Sequence, residues 1–337
     1  MKDVNIVKEA YEEVPWYSED YSGPARRNPK VKDYLALRPQ DIKRELEQYV
    51  VGQEEACRQV AIIMYQHLHG HRSVNLLAGS TGSGKSFMAE SLQKIFPDVV
   101  FLRDISNVTN DGWSGGKKVA SIFQGVRNPF SYNGKIYPMI VLDECDKLFA
   151  PKTNSGGENV SESVQAEFLS VIHGSEIERK MEKDISIVID TRPMSFLFAG
   201  AFEKQARTIA EKESEASIGF GASHMKLQSY NRALTIDDVH QAGCISELCG
   251  RIQKVISLNK LDESQYIKML GERESGPLFE LENEFNIRLF LSEAKKAEMA
   301  HNAYESGLGV RGIKNQLRYY IDEAIWEDCD TRFVEVV

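Results

Sequence analysis

The residues best suited to chemistry are a glycine-rich run, Gly79-Ser80-Thr81-Gly82-Ser83-Gly84-Lys85-Ser86, and an acidic pair, Asp143-Glu144. The run fits G-x-x-x-x-G-K-[ST], in which a turn between a strand and a helix leaves several backbone N–H groups pointing at one anion. Such a cradle suits phosphate. Lys85 then reaches the β- and γ-phosphates of ATP, and the Ser86 hydroxyl binds Mg²⁺. The alternative is a Gly/Ser-rich surface turn followed by a solvated lysine. The flanks favour the phosphate loop. Val74 to Ala78 is apolar enough for the strand, and Phe87, Met88 and Leu92 fall near one helical face beyond the loop.

Asp143 and Glu144 close the apolar stretch Met139-Ile140-Val141-Leu142. In nucleotide hydrolases with a phosphate loop, the first carboxylate of such a pair holds Mg²⁺ and an adjacent Glu polarises the attacking water. That assigns Asp143 to the metal and Glu144 to the general base. A solvated acidic turn would look the same in isolation, but a pair downstream of a full phosphate loop, with a strand and a helix between, argues against coincidence.

Other reactive residues give weaker signals. Cys57, Cys145, Cys244, Cys249 and Cys329 are odd in number and lack C-x-x-C spacing, so they read as free thiols. His67, His69 and His71 alternate, and alternate positions on a helix do not share a face, so the run reads as the polar end of a helix rather than a metal site. Gly112-Trp113-Ser114-Gly115 sits in a polar loop. By composition its tryptophan either folds back to the core or works as an exposed aromatic. Ile218-Gly219-Phe220 is an apolar island in the polar region from Ala210 to Arg232, either a plug for a partner or a loop anchored on its own core.

Positioning these residues needs alternating strands and helices. Helices are expected through Ile42 and Leu46 after Pro39, through Val60, Ile63 and Met64, after the phosphate loop, and through Val164, Phe168, Val171 and Ile172. Strands are expected at Val74–Ala78, Val99–Leu102, Met139–Asp143, Ile185–Ile189 and Ser195–Ala199. This pattern predicts an α/β large domain: a mostly parallel sheet, helices on both faces, and a nucleotide at the carboxyl ends of the strands. From about Asp262 helices dominate around one lone strand, Ile287 to Phe290, which predicts a small, mainly helical C-terminal domain. The expected division is an arm over 1–37, a large domain over 38–260 and a small domain over 261–337. The arm is mixed in charge and broken by Pro and Gly, and its Trp16, Tyr17 and Tyr21 form either a docking patch or part of a loose extension. With 50 Asp plus Glu against 41 Lys plus Arg, the net charge of -9 disfavours a protein that coats nucleic acid. No long apolar run or N-terminal signal pattern appears, so the expected place is the cytoplasm, without membrane.

From about Arg38 onward the chain resembles the ClpX family of AAA+ protein unfoldases, the ATPase subunits of the Clp protease. The likeness is carried by Tyr49-Val50-Val51-Gly52-Gln53, the phosphate loop, Asp143-Glu144-Cys145-Asp146-Lys147, Ala199-Gly200-Ala201-Phe202, Ile218-Gly219-Phe220-Gly221-Ala222, Gly250-Arg251 and Gly309-Val310-Arg311-Gly312. The resemblance implies an ATP-driven unfoldase or translocase in a homohexameric ring, with ATP between subunits. It implies that Val50 and Val51 pack on adenine, that Arg251 is an arginine finger reaching a neighbour's γ-phosphate, and that Arg311 is a sensor arginine. Each arginine read alone is a solvated helix residue.

The same resemblance places Gly112-Trp113-Ser114-Gly115 in the aromatic pore loop that grips unfolded or tagged protein substrates, which favours the exposed working aromatic over the core tryptophan. A second pore loop falls at 155–160, and Ile218-Gly219-Phe220 matches the loop that docks on a ClpP-type peptidase. There are departures. The family's N-terminal zinc-binding domain has no counterpart, since residues 1–37 contain no Cys. Lys117 and Lys118 stand where acidic residues are usual, Arg179-Lys180-Met181 matches the pore-entrance loop only in part, and Ile252-Gln253 replaces Leu-Pro. A stand-alone protein remodeller and a nucleic-acid AAA+ ATPase are the alternatives.

Overall fold

Two apolar strands with residues buried on both sides begin and centre the architecture, and a parallel sheet is the arrangement that buries such strands fully. The computed structural model describes residues 4–5, 34–109, 117–126, 136–152, 159–180, 186–203, 205, 233–271 and 276–336. The chain divides into two units, residues 31–260 and residues 1–30 with 261–337.

In the first unit, helix α1 (Pro39–Glu47) starts on a proline, whose missing N–H would lack a partner at that position anyway, and buries Ile42 and Leu46. Helix α2 (Glu54–Leu68) leads to strand β1 (Val74–Ala78), then helix α3 (Lys85–Ile95) and strand β2 (Val100–Asp104). Strand β3 (Met139–Asp143) runs into the short helix α4 (Cys145–Phe149), followed by α5 (Val160–His173). A hairpin of β4 (Glu176–Lys180) and β5 (Ser186–Asp190) precedes β6 (Ser195–Gly200), and α6 (Ile236–Gln241) and α7 (Ser246–Cys249) lead to β7 (Lys254–Ser257).

The sheet order is β7-β1-β6-β3-β2, parallel throughout, with Leu76 opposite both Val255 and Phe198, and Val141 opposite Leu102 and Leu197. Successive side chains leave opposite faces of a strand. Thus Leu76, Ile140 and Phe198 join Phe149 and Phe168 in one core, while Leu77, Val141 and Leu197 join Met64, Met88 and Leu92 in the other. Tyr34 is fully buried and meets the Phe96 ring edge-on at 5.1 Å.

One expected strand forms in a different place. Residues around Ile189 pair antiparallel with β4 rather than entering the central sheet, with Ile177 opposite Ile189. The reason is in the burial: Val188 is 62% exposed while Ile189 is 1% exposed, a one-sided strand that a sheet covered on both faces would not accommodate. Strand β7 escaped the sequence reading because it is short and begins on the exposed Lys254.

The second unit is built on helices α8 (Glu263–Gly271), α9 (Gly276–Phe285), α10 (Glu293–Glu305) and α11 (Val310–Glu327), with β8 (Arg288–Leu291) between α9 and α10 and β9 (Phe333–Val336) after α11. Ser292 caps α10 by accepting from Lys295 N–H at 3.2 Å. Helix α11 buries Ile313, Leu317, Ile321 and Ala324, the spacing of one helical face. The strand expected to stand alone does not: β8 pairs parallel with β9, and the backbone of Val4–Asn5 adds antiparallel to Val336 and Glu335.

Candidate functional site

The loop between β1 and α3 takes its shape from its glycines. Gly82 and Gly84 have φ of 80° and 95°, a left-handed conformation that costs other residues strain. A Cβ on Gly79 would lie 2.6 Å from Ser83 Oγ and 3.0 Å from Leu258 Cβ, so this position admits no side chain without a shift. Within the loop Ser83 N–H donates to Ser80 O at 3.1 Å. Lys85 Nζ donates to the carbonyls of Gly79 and Ser80, each at 2.8 Å, which holds the ammonium inside the curve of the loop. Burial pushes the Lys85 pKa down, while the carboxylates of Asp143, Asp146 and Glu203 oppose that shift. The first turn of α3 carries no acidic residue, so its positive end is left for an anion from outside the helix. Ser86 stands in that first turn and is half-buried.

A glutamine that closes the motif Tyr49-Val50-Val51-Gly52-Gln53 braces this loop. Gln53, 2% exposed, donates from Nε2 to Ser83 O at 3.0 Å and to Asn259 O at 2.8 Å, and its Oε1 accepts from Asn259 N–H at 3.0 Å. It ties the phosphate loop to the chain just beyond β7. Its position two residues after Val51 gave no hint of partners 30 and 206 residues away.

The acidic pair stands at the carboxyl end of β3. Glu144 has φ 62° and forms the N-cap of α4. Asp143 Oδ1 accepts from Glu144 N–H at 2.9 Å, and Lys147 Nζ pairs with Glu144 Oε2. Asp146 Oδ1 accepts from Ala201 N–H at 3.0 Å, tying the first turn of α4 to the turn after β6. Because β6 lies between β1 and β3, the phosphate loop and the acidic pair flank one strand end. A switch in strand order of this kind opens the crevice where open α/β sheets bind ligands. At that crevice Thr81 N–H donates to Glu203 Oε1 at 3.1 Å, a contact that no motif announces.

The remaining candidates are distributed around this crevice or away from it. Val50 is buried, Val51 is half-buried, and Phe87 is half-buried beneath Lys94 Nζ, which lies 5.6 Å from its ring centroid. Arg251 is exposed just past α7, with Nη2 2.5 Å from His173 Nε2. Arg311 is exposed in the first turn of α11 and belongs to the second unit. Gly112, Trp113, Ser114 and Gly115, the segment 153–158, and Ile218, Gly219 and Phe220 lie outside the described residues. So does most of the N-terminal arm.

His67 is buried rather than solvated. Its Nε2 donates to Tyr137 O at 2.8 Å, which leaves Nδ1 to accept from Ser195 Oγ at 2.9 Å, and burial holds its pKa down to about 4. Among the described residues no three His, Cys, Asp or Glu side chains gather as a metal site. Among them, too, no helix is long and apolar enough to cross a membrane.

Comparison with known proteins gives the same direction. The family described as AAA domain (Cdc48 subfamily) matches residues 71–255, more than half of the chain. The ATP-dependent Clp protease ATP-binding subunit ClpX of Treponema denticola is 28% identical over 86% of this chain and 77% of its own length. ClpX 3 of Methylococcus capsulatus is 27% identical, over 86% of this chain and 76% of its own, and ClpX 2 of Wolinella succinogenes is 26% identical, over 90% and 80%. A phosphate loop and an acidic pair at the carboxyl edge of a parallel sheet, together with these likenesses, show that the chain belongs to the AAA domain (Cdc48 subfamily) family as a ClpX-like ATPase.

Proposed function

We propose that the chain is an ATP-driven protein unfoldase that works as a homohexameric ring, threads protein substrates through a central pore and delivers them to a ClpP-type peptidase. The observation that carries this reading is the placement of the phosphate loop and Asp143-Glu144 on strands flanking β6, in a chain similar to named ClpX proteins over 86% of its length or more. In this reading residues 38–260 form the large ATPase domain and 261–337 the small one.

Each residue then has a role. The loop amides from Gly79 to Ser86 and the Lys85 ammonium hold the phosphates, and Val50 and Val51 pack on adenine. Ser86 and Asp143 supply the hard oxygen donors that Mg²⁺ takes, and a site completed by substrate phosphates needs few protein carboxylates. When bound, Mg²⁺ neutralises charge on the phosphate oxygens. Glu144 takes a proton from the attacking water. Its left-handed backbone turns it away from the strand, and Lys147 orients the carboxylate. Arg251, exposed on its own subunit, reaches the γ-phosphate bound by a neighbour, and Arg311 couples the small domain to nucleotide. Trp113, between Gly112 and Ser114-Gly115, grips the substrate, and Ile218-Gly219-Phe220 docks on the peptidase.

The experiment is a substrate trap. Glu144→Gln, held with ATP in cells, is expected to form a stable ring that retains intact cellular proteins, which are released by ADP. A variant that binds ATP but retains no more protein than a Lys85→Ala control would overturn the unfoldase reading.

A further inference from the structure

Glu203 has no role in the mechanism above, yet its carboxylate occupies the crevice. It lies three residues beyond β6, and its Oε1 accepts from the N–H of Thr81 at 3.1 Å. Thr81 is the third residue of a loop whose amides converge on phosphate, so a protein anion sits on an anion-binding loop in a charge-assisted hydrogen bond. The turn that presents it is anchored from below. Ala201 N–H donates to Asp146, and the Phe202 ring is 2% exposed and 6.2 Å from the Phe149 ring. The Glu203 side chain itself is exposed.

Sheet order fixes the side of the nucleotide that Glu203 faces. Strand β6 stands between β1 and β3, so Glu203 lies between the phosphate loop and Asp143-Glu144. That is where the terminal phosphate and the attacking water of a bound triphosphate belong, since Lys85 reaches the β- and γ-phosphates from the same loop. The Lys85 ammonium also feels the Glu203 charge together with those of Asp143 and Asp146.

We propose that Glu203 is a nucleotide-specificity residue: its carboxylate holds the Thr81 amide and must be displaced by a γ-phosphate, whereas a diphosphate leaves it in place. This rests on the ATP-site reading above. Two anions repel across a few ångströms and compete for one N–H, so Glu203 weakens the triphosphate relative to the diphosphate and favours the ADP-bound state. Glu203→Gln keeps an oxygen acceptor and removes the charge, and Glu203→Ala removes both.

The full chain and both variants are titrated calorimetrically with ADP and with the slowly hydrolysed analogue ATPγS. Both substitutions are expected to tighten ATPγS by about fivefold and to change ADP affinity by less than about twofold. Equal changes for the two nucleotides, no change, or slower turnover at unchanged affinities, which would mark Glu203 as a residue that positions water, overturns the proposal. If the unsubstituted chain binds neither nucleotide, the ATP-site reading itself fails and this inference with it. If it binds both and the ratio does not move, only the Glu203 inference fails.

Discussion

Glu144 combines a left-handed backbone, an ion pair with Lys147 and a backbone hydrogen bond to the carboxylate beside it. A residue that carries a Cβ is strained at φ 62°, so its conformation persists because α4 and β3 both hold it. Glu144→Gln keeps the shape and removes the base of the proposed mechanism. ATP turnover should fall by about 10²–10⁴-fold while nucleotide affinity stays, as read by steady-state hydrolysis and equilibrium binding. Lys85→Ala should instead abolish binding of both ATP and ADP, because the ammonium bonded to Gly79 and Ser80 carbonyls is the one charged group built into the loop itself. Variants that lost turnover and affinity together at both positions would contradict the division of roles between them.

Elements matter because most of the site is held by bonds between them. Gln53 joins the start of α2 to the phosphate loop and to the chain after β7. Gln53→Ala leaves buried polar groups without partners, so a loss of about 2–3 kcal/mol in unfolding free energy is expected, with weaker nucleotide binding. Denaturant titration and binding isotherms measure both.

His67 does the same for α2, β6 and Tyr137, two residues before β3. Its pKa falls from the ordinary 6.5 to about 4 in the fold, chiefly through burial. Between those values the unfolded chain binds more protons than the folded one. Its contribution is therefore complete above pH 6.5 and is lost as pH falls toward 4, with about 2 kcal/mol gone by pH 5. Urea midpoints at pH 7.5 and 5 should differ more for the unsubstituted chain than for His67→Gln. Equal slopes would remove His67 as the cause.

At the scale of the whole molecule, the proposed ring makes a testable statement about who supplies Arg251. Within its own chain the guanidinium is exposed beside His173, which leaves it available to a neighbour. Glu144→Gln and Arg251→Ala should each be nearly inactive alone. Mixed in one assembly, they should regain part of the ATP turnover, because an Arg251→Ala subunit keeps its own Glu144 and receives Arg251 from the other type. Mixtures as inactive as the parents would place Arg251 in cis. Within an active ring, Trp113→Ala should retain ATP hydrolysis and lose substrate unfolding, measured on a fluorescent folded protein.

The sequence by itself determined the phosphate loop, the acidic pair, and the strands and helices at their flanks. These are local properties. Glycine alone reaches φ near 90°, the apolar run Met139 to Leu142 makes a buried strand, and Pro39 starts a helix wherever the chain is. Tertiary structure alone decided that β6 stands between β1 and β3, that the strand around Ile189 turns back on β4, and that β9 pairs with both β8 and Val4–Asn5. It also placed Glu203 on Thr81, 122 positions away, and Gln53 on Asn259, 206 positions away. The physical reason is that such pairings depend on which strands become neighbours, a choice made by burying both faces of the sheet at once, and no spacing along the chain records it.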